Sequence, residues 1–311
     1  MVSTDAGHSL AVGMPPTARP SPLKALAIGL PLGYSVAFFV APLAFLILLG
    51  FWLVEDFQVV PAFSLENYLD IAQHMFAKSN YALAIVQSLW VSLTTAFFAV
   101  LLCYPMVLAI VYLTPPSRHR LLLLLAVAPF WSSYVLRLFS WQLLLAKKGI
   151  INSALAWAGF EDLQFSLIYT QTATRIGLIH YLAPILVVVL YVTVANIDRD
   201  LIQAARDLGA TPWQAFRRVI LPMSRTGLLV SASFAAIVSF GDVLSGALLG
   251  GGAGTSVLGS VPLFSNMIMS EYASSTNLPR TSALAMILVL VMILMLAAGT
   301  ALAERNKIDA G

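Results

Sequence analysis

Charge is what this sequence has least of. Acidic and basic residues together make up 10% of its 311 residues, 14 Asp or Glu against 17 Lys or Arg, where a soluble domain carries roughly 25%. That is too little to cover a water-facing surface of this size, and 59% of the chain is hydrophobic. A cytosolic enzyme and a disordered chain are excluded together. Cysteine is nearly absent too. The single Cys103 lies in an apolar run and has no partner within the chain, which excludes a disulfide scaffold and dithiol redox chemistry. No Gly-x-x-x-x-Gly-Lys-Ser/Thr occurs. Gly250-Gly251-Gly252-Ala253-Gly254 lacks the lysine and reads as a hinge or loop, so the chain has no phosphate cradle of its own. Metal-ligand spacings of His and Cys and a nucleophile elbow are missing as well, so no metal, bound cofactor or catalytic residue is expected. The net charge of +3 reads as the basic bias of cytoplasmic loops and not as a nucleic-acid surface.

Long uncharged runs are what the chain does have, and a lipid bilayer is their solvent. Residues 25–54 carry no charge between Lys24 and Glu55. The run exceeds the apolar core of a signal peptide, about 7–15 residues, and reads as a retained first helix. Residues 79–117 form a second uncharged run, closed by Thr114-Pro115-Pro116. Leu121–Leu145, interrupted by Arg137, gives a third span, and Ile176–Ile197 a fourth. Thr226–Gly250, interrupted by Asp242, gives the fifth, and Thr281–Ala303 the sixth. The expectation is an all-α membrane protein with six transmembrane helices. Residues 1–24 read as a disordered cytoplasmic tail, 25–80 as the first helix and an outer loop, 81–303 as the core domain, and 304–311 as a second tail.

With the N-terminus inside, the cytoplasmic segments hold Arg19, Lys24, Arg118, Arg120, Arg199, Arg206, Arg217, Arg218, Arg225, Arg305 and Lys307. The other side holds Lys78, Lys147, Lys148, Arg175 and Arg280. The imbalance predicts both termini inside.

Residues 198–225 carry the densest local signal. Asp200 with Gln203 has capping-box spacing, and Gly209 stands where a left-handed residue closes a helix. Thr211, Pro212 and Gln214 then open a second helix, predicted to end at Leu221-Pro222. Trp213, Phe216 and Ile220 recur at helical spacing as one apolar face. Two readings fit: a docking surface for another subunit, or an amphipathic element lying on the membrane.

Gln203-Ala204-Ala205, three residues, Gly209, then Ile220-Leu221-Pro222 resembles the EAA loop of binding-protein-dependent ABC importer permeases. In that family the loop is a coupling helix seated in a cleft of the ATP-hydrolysing subunit. Gln203 replaces the family's Glu, which keeps the capping geometry and removes a charge, and Thr226 stands where a proline often follows. Pro129-Phe130-Trp131-Ser132-Ser133-Tyr134-Val135-Leu136-Arg137, with Trp141, is similar to the third span of spermidine/putrescine-type permeases. Ser239-Phe240-Gly241-Asp242, with Leu248-Leu249-Gly250-Gly251, is similar to their fifth. The resemblance implies a type I importer fold in the inner (plasma) membrane. It also implies a second homologous permease, two ATP-binding subunits that hydrolyse ATP, a solute-binding protein outside, and a small cargo such as a polyamine. Coupling then falls to Gln203, Ala204, Ala205, Gly209, Phe216, Leu221 and Pro222. A gradient-driven transporter would show inverted repeats and more intramembrane acids. Neither is visible.

Arg137 and Asp242 are formal charges inside the apolar runs, and each needs a partner there. Each lies 16 residues beyond the start of its span, a depth of about 24 Å at the helical rise, so the two are expected to be able to meet. They would then form a structural pair, contact the cargo, or gate the path. Phe130, Tyr134, Arg137 and Trp141 follow helical spacing on one face. With Trp131 and Asp242 they make up the candidate transport path, aromatic faces beside a carboxylate being suited to an ammonium group. Ordinary packing is the plain alternative for the aromatics, and for His180 a hydrogen-bonded packing role.

Overall fold

The computed structural model describes residues 22–56, 58–76, 81–160, 167–250, 262–275 and 277–308. Residues 1–21 of the expected 1–24 tail and the glycine run 251–254 lie outside them, while residues 22–24 belong to a helix. The chain divides into two units at Leu48/Leu49.

The described part of the first unit is helical: α1 (Pro22–Ser35), a π turn at Val36–Val40, and α2 (Ala41–Leu49), whose last residue lies across the boundary. The N–H of Ala41 reaches back five residues to the Val36 carbonyl, immediately before Pro42. A proline removes one helical hydrogen bond and its ring collides with the carbonyl four residues earlier. A single wide turn relieves both, so the helix continues.

In the second unit the uncharged run does not stay helical to residue 54. β1 (Leu53–Glu55) and β2 (Gln58–Val60) pair as a short antiparallel hairpin with Leu53 opposite Val60. α3 (Glu66–Gln73) follows, tied back by Asn67 Nδ2, which donates to the carbonyls of Gly50 and Trp52.

Three long helices form the centre. α4 (Tyr81–Leu108) is extended by a π turn at Ala109–Leu113, α8 covers Gln171–Ala195, and α11 covers Leu221–Gly241. They pack against one another, and α14 (Leu278–Ile308) lies on α11. Ala96, Ala99, Cys103 and Val107 meet Leu182, Leu186, Val187 and Leu190, with Ala235 and Ala236 from the third helix, all buried. Where the surroundings are as apolar as the core, helices associate by close packing, and the alanines allow it. Tyr104 and Ser224 share a 2.6 Å hydrogen bond across that core.

The third span is not one helix. α5 (Pro116–Val127) tightens into a 3₁₀ turn at Ala128–Trp131, Ser132 and Ser133 are extended, and α6 (Tyr134–Leu145) leaves at a bend of 87°. Pro129 has no N–H to give, and the Ser132 hydroxyl and N–H both bond to its carbonyl. α7 (Ile150–Trp157) follows. Among the described residues five helices are long and apolar enough to cross a membrane, and six spans result if the bent pair counts as one. The fifth span also departs from expectation: its helix stops at Gly241, Asp242 is extended, and a separate α12 (Leu244–Leu249) follows. α13 (Phe264–Ser275) completes the unit.

Span four bridges both broken spans. A methyl added to Gly177 would stand 2.6 Å from Leu249 Cδ1 and 2.9 Å from Leu138 Cδ2, side chains of α12 and α6. Gly177→Val should therefore lower the melting temperature of the purified protein by several degrees, overpacking costing about 1–3 kcal/mol. Thermal unfolding followed by circular dichroism checks this, and an unchanged midpoint would show that α6 and α12 shift freely.

Candidate functional site

Two sites emerge, one at the turn between spans four and five and one at the two helix breaks.

At the turn, α9 (Arg199–Asp207) is capped by Asp198, whose carboxylate accepts from the Asp200 N–H at 3.0 Å. This corrects the expectation that Asp200 caps it. The C-terminus closes as expected on Gly209 at φ +83°. The Gly209 N–H donates to the Arg206 carbonyl at 2.8 Å and the Ala210 N–H to that of Ala205 at 3.0 Å, the two bonds of a Schellman motif. The Thr211–Gln214 capping box is fully formed, at 2.9 and 3.3 Å, and starts α10 (Pro212–Ala215). Leu221-Pro222 does not end that helix. A π turn at Phe216–Ile220, closed by the Leu221 N–H on the Phe216 carbonyl, absorbs Pro222 as at Pro42, and the helix runs unbroken from Pro212 to Gly241.

The apolar face expected on this turn is split. Ile220 is buried with Ile197, Ile202 and Ala215, and half-buried Phe216 packs between Tyr104 and Trp213 at ring distances of 6.4 and 5.2 Å. Those residues anchor the corner to the bundle. Leu208, 90% exposed, and Trp213, 66% exposed, face outward. Gln203, Ala204 and Gly209 are exposed, Ala205 is half-buried, and Leu221 and Pro222 are exposed at the end of the turn. Behind the corner lies a cavity of about 510 Å³ lined by Pro105, Tyr112, Arg199, Gln203, Arg206 and Phe216.

At the breaks, Tyr134 and Asp242 join the third span to the fifth. The Tyr134 hydroxyl donates to Asp242 Oδ1 at 2.9 Å. Asp242 Oδ2 accepts from the Ser245 N–H at 2.8 Å and from the Ser245 hydroxyl, so the carboxylate caps α12. α13 answers the break: Ser265 Oγ donates to Asp242 O at 2.6 Å, and Asn266 Nδ2 to Val243 O at 2.8 Å, a carbonyl that also accepts from the Ala247 N–H at 2.9 Å. The Ser245 N–H and the Asp242 carbonyl at the interruption thus find partners inside the protein, as lipid requires.

Arg137 and Asp242 do not form an ion pair. The depth comparison assumed two unbroken helices, and both break. Arg137 instead stacks near two tyrosines, its Cζ 5.9 Å from the Tyr134 ring centroid and 5.8 Å from that of Tyr181. The Tyr134 and Tyr181 rings are themselves 4.3 Å apart. Trp141 Nε1 donates to His180 Nδ1 at 2.8 Å, which gives His180 the hydrogen-bonded packing role expected of it. Tyr134, Arg137 and Trp141 share the inward face of α6. Phe130 and Trp131 do not, because the break at Ser132-Ser133 turns the chain. Trp131 is 74% exposed, and Phe130 borders a small apolar recess with Pro184 and Val188.

Sequence reasoning missed Tyr181, Ser245, Ser265 and Asn266. Asp242-x-x-Ser245 has the spacing of a helix cap and could have revealed the break, as could Asp198-x-Asp200 for the first loop helix. Nothing in the sequence marks Ser265 and Asn266, whose partners lie 23 residues away.

Comparison with known proteins places this arrangement. The profile of the binding-protein-dependent transport system inner membrane component family matches residues 29–307. The spermidine/putrescine transport system permease protein PotB of Haemophilus influenzae is 32% identical over 246 residues, 78% of this chain and 80% of that protein. PotB of Escherichia coli K12 is 29% identical over 265 residues, 85% of this chain and 92% of that protein. Among solved structures, a chain of a bacterial alginate ABC transporter, crystallised with an alginate pentasaccharide-bound periplasmic protein, superposes with a TM-score of 0.69. It is 17% identical, with 90% of this chain and 93% of that chain covered, a likeness of fold.

Proposed function

This chain belongs to the family of binding-protein-dependent transport system inner membrane components, and on that premise we propose that it forms one half of the path of an ATP-driven importer. Its complement is a second, homologous permease, two ATP-hydrolysing subunits and an external solute-binding protein. The chain itself binds no cofactor and hydrolyses no ATP. The cargo is a small amine, a reading supported by the PotB relatives, whose names give the polyamines spermidine and putrescine.

The observation that carries this reading is the corner at residues 198–220. Schellman motif, capping box and buried Ile202, Ala215 and Ile220 fix two short helices rigidly on the bundle, while Leu208 and Trp213 stay exposed at its tip. A passive connector of a few residues needs none of this. An apolar tip on a rigid arm fits a cleft in another subunit. Because α10 continues into α11 through the π turn, a displacement of the tip is transmitted along one helix to the break at Asp242. ATP-driven closure of the partner subunits would then switch access to the path.

Purification from the native membrane in mild detergent, with mass spectrometry of what comes along, tests the assembly. An ATPase and a second permease are expected, and recovery of the chain alone, with gradient-driven uptake intact, would overturn the reading. Sidedness follows from the same proposal: both termini and the 198–220 corner face the cytoplasm, and α7 faces outward. In a Cys103→Ser background, Ser153→Cys should react with an impermeant maleimide added to intact cells. Leu208→Cys should react after the membrane is opened. The opposite pattern would invert the topology.

A further inference from the structure

The buried charge without a counter-ion in the helix-break site is Arg137. Its residue is 9% exposed, and Nε and Nη1 are buried without a hydrogen-bond partner. Among the described residues no acidic group pairs with it. The acid at the helix breaks, Asp242, is engaged by Tyr134 and by both donors of Ser245. The Tyr134 and Tyr181 rings answer the positive charge in part, but π faces leave the in-plane N–H donors of a guanidinium unfilled. A charge desolvated in this way calls for an anion.

The place it occupies is itself suited to one. α6 is a 12-residue helix, and no side chain caps its N-terminus, the Ser133 hydroxyl making no cap bond. Arg137 stands one turn in, and helical side chains lean back toward the N-terminus. Its guanidinium lies beside the ring of Tyr134, the first residue of the helix. An uncapped N-terminal dipole and a forked guanidinium therefore belong to the same first turn of α6, a combination suited to a carboxylate. Helix interruptions inside a membrane are where transporters hold charged substrate groups.

We propose that the α6 N-terminus and Arg137 form a carboxylate site in the transport path, and that the carboxylate belongs to the cargo. The site rests on the importer reading and narrows the cargo from any small amine to one that also bears a carboxylate. A simple diamine offers Arg137 nothing.

The test uses the detergent-purified assembly without added binding protein. Its melting temperature is followed against acetate, 4-aminobutyrate and putrescine, with chloride at matched ionic strength as the reference. A ligand that binds the folded state raises the midpoint in a concentration-dependent way. Acetate and 4-aminobutyrate are expected to raise it and putrescine to leave it at the chloride reference. The response should fall about ten-fold in apparent affinity in Arg137→Gln, one bidentate ion-pair contact being worth at least about that factor. Should that variant fail to assemble, Arg137→Lys keeps the charge without the fork and is expected to weaken the response at least about three-fold. No carboxylate-specific rise in the wild type overturns the site, as does a response that the substitutions leave unchanged. Absence of an ATPase from the preparation would count against the importer reading instead, and the melting data would still judge the site.

Discussion

Gly209→Pro should abolish uptake and the co-purification of an ATP-hydrolysing partner, while the chain still inserts in the membrane. The residue sits at φ +83°, and proline locks φ near −65°. Its N–H closes the first loop helix on the Arg206 carbonyl, and proline has no N–H. Strain at such a position costs about 1–3 kcal/mol and the lost hydrogen bond about 1 more. At 1.4 kcal/mol per factor of ten, the population of the intact corner falls on the order of a hundred-fold. Gly209→Ala meets only the left-handed penalty, about 1–2 kcal/mol, and should retain partial uptake. Ala205→Asp puts a charge at a half-buried position of the same helix and should lower partner recovery without altering helix content. Pull-down of the ATPase with quantitation of membrane-inserted chain is the measurement. Normal recovery of the partner by Gly209→Pro would show that the corner is not what docks.

Asp242→Ala is expected to be the most destabilising change at the helix breaks. It removes the acceptor of the Tyr134 hydroxyl and the cap of α12 together. Bonds to a charged acceptor contribute about 1.5–3 kcal/mol each, and an unpaired buried hydroxyl costs about 1–3 kcal/mol, so a loss of several kcal/mol is expected. Asp242→Asn keeps an acceptor and should lose less. The decisive comparison is a pair of double-mutant cycles on thermal stability. Tyr134→Phe and Asp242→Asn should be non-additive by about 1 kcal/mol or more, as residues in contact are. Arg137→Gln and Asp242→Asn, which share Tyr134 but do not pair with each other, should couple less strongly than Tyr134→Phe and Asp242→Asn do. Rescue of Asp242→Asn by Arg137→Gln would mean a direct ion pair and would sink this arrangement.

The consequence for cargo recognition is a reversal of roles. An intramembrane carboxylate beside aromatic rings suggests a cation site, yet the Asp242 carboxylate serves as a cap and a clamp between two broken spans. The rings of Tyr134 and Tyr181 lie against the arginine of this chain. The group left with open valence is Arg137.

Much of the fold was legible in the linear sequence because its causes are local. Scarcity of charge dictates a lipid environment, and uncharged runs of helical length dictate the spans, since a backbone in lipid must satisfy its own hydrogen bonds. The corner at 198–214 was nearly complete in sequence, because caps depend on residues three or four apart: Gly209 for the left-handed position, Thr211 with Gln214 for the box. What tertiary structure decided was where apolar continuity fails to mean helical continuity. Pro42 and Pro222 sit inside helices that continue, since a π turn absorbs each. Pro129 and Asp242 mark real breaks, and the Asp242 break can persist because Ser265, brought in from a distant helix, takes up the Asp242 carbonyl while its neighbour Asn266 adds a second donor to that of Val243. Whether Arg137 and Asp242 meet was likewise a matter of packing. A tyrosine one turn from the arginine reaches the aspartate first, and no spacing rule along the chain contains that distance.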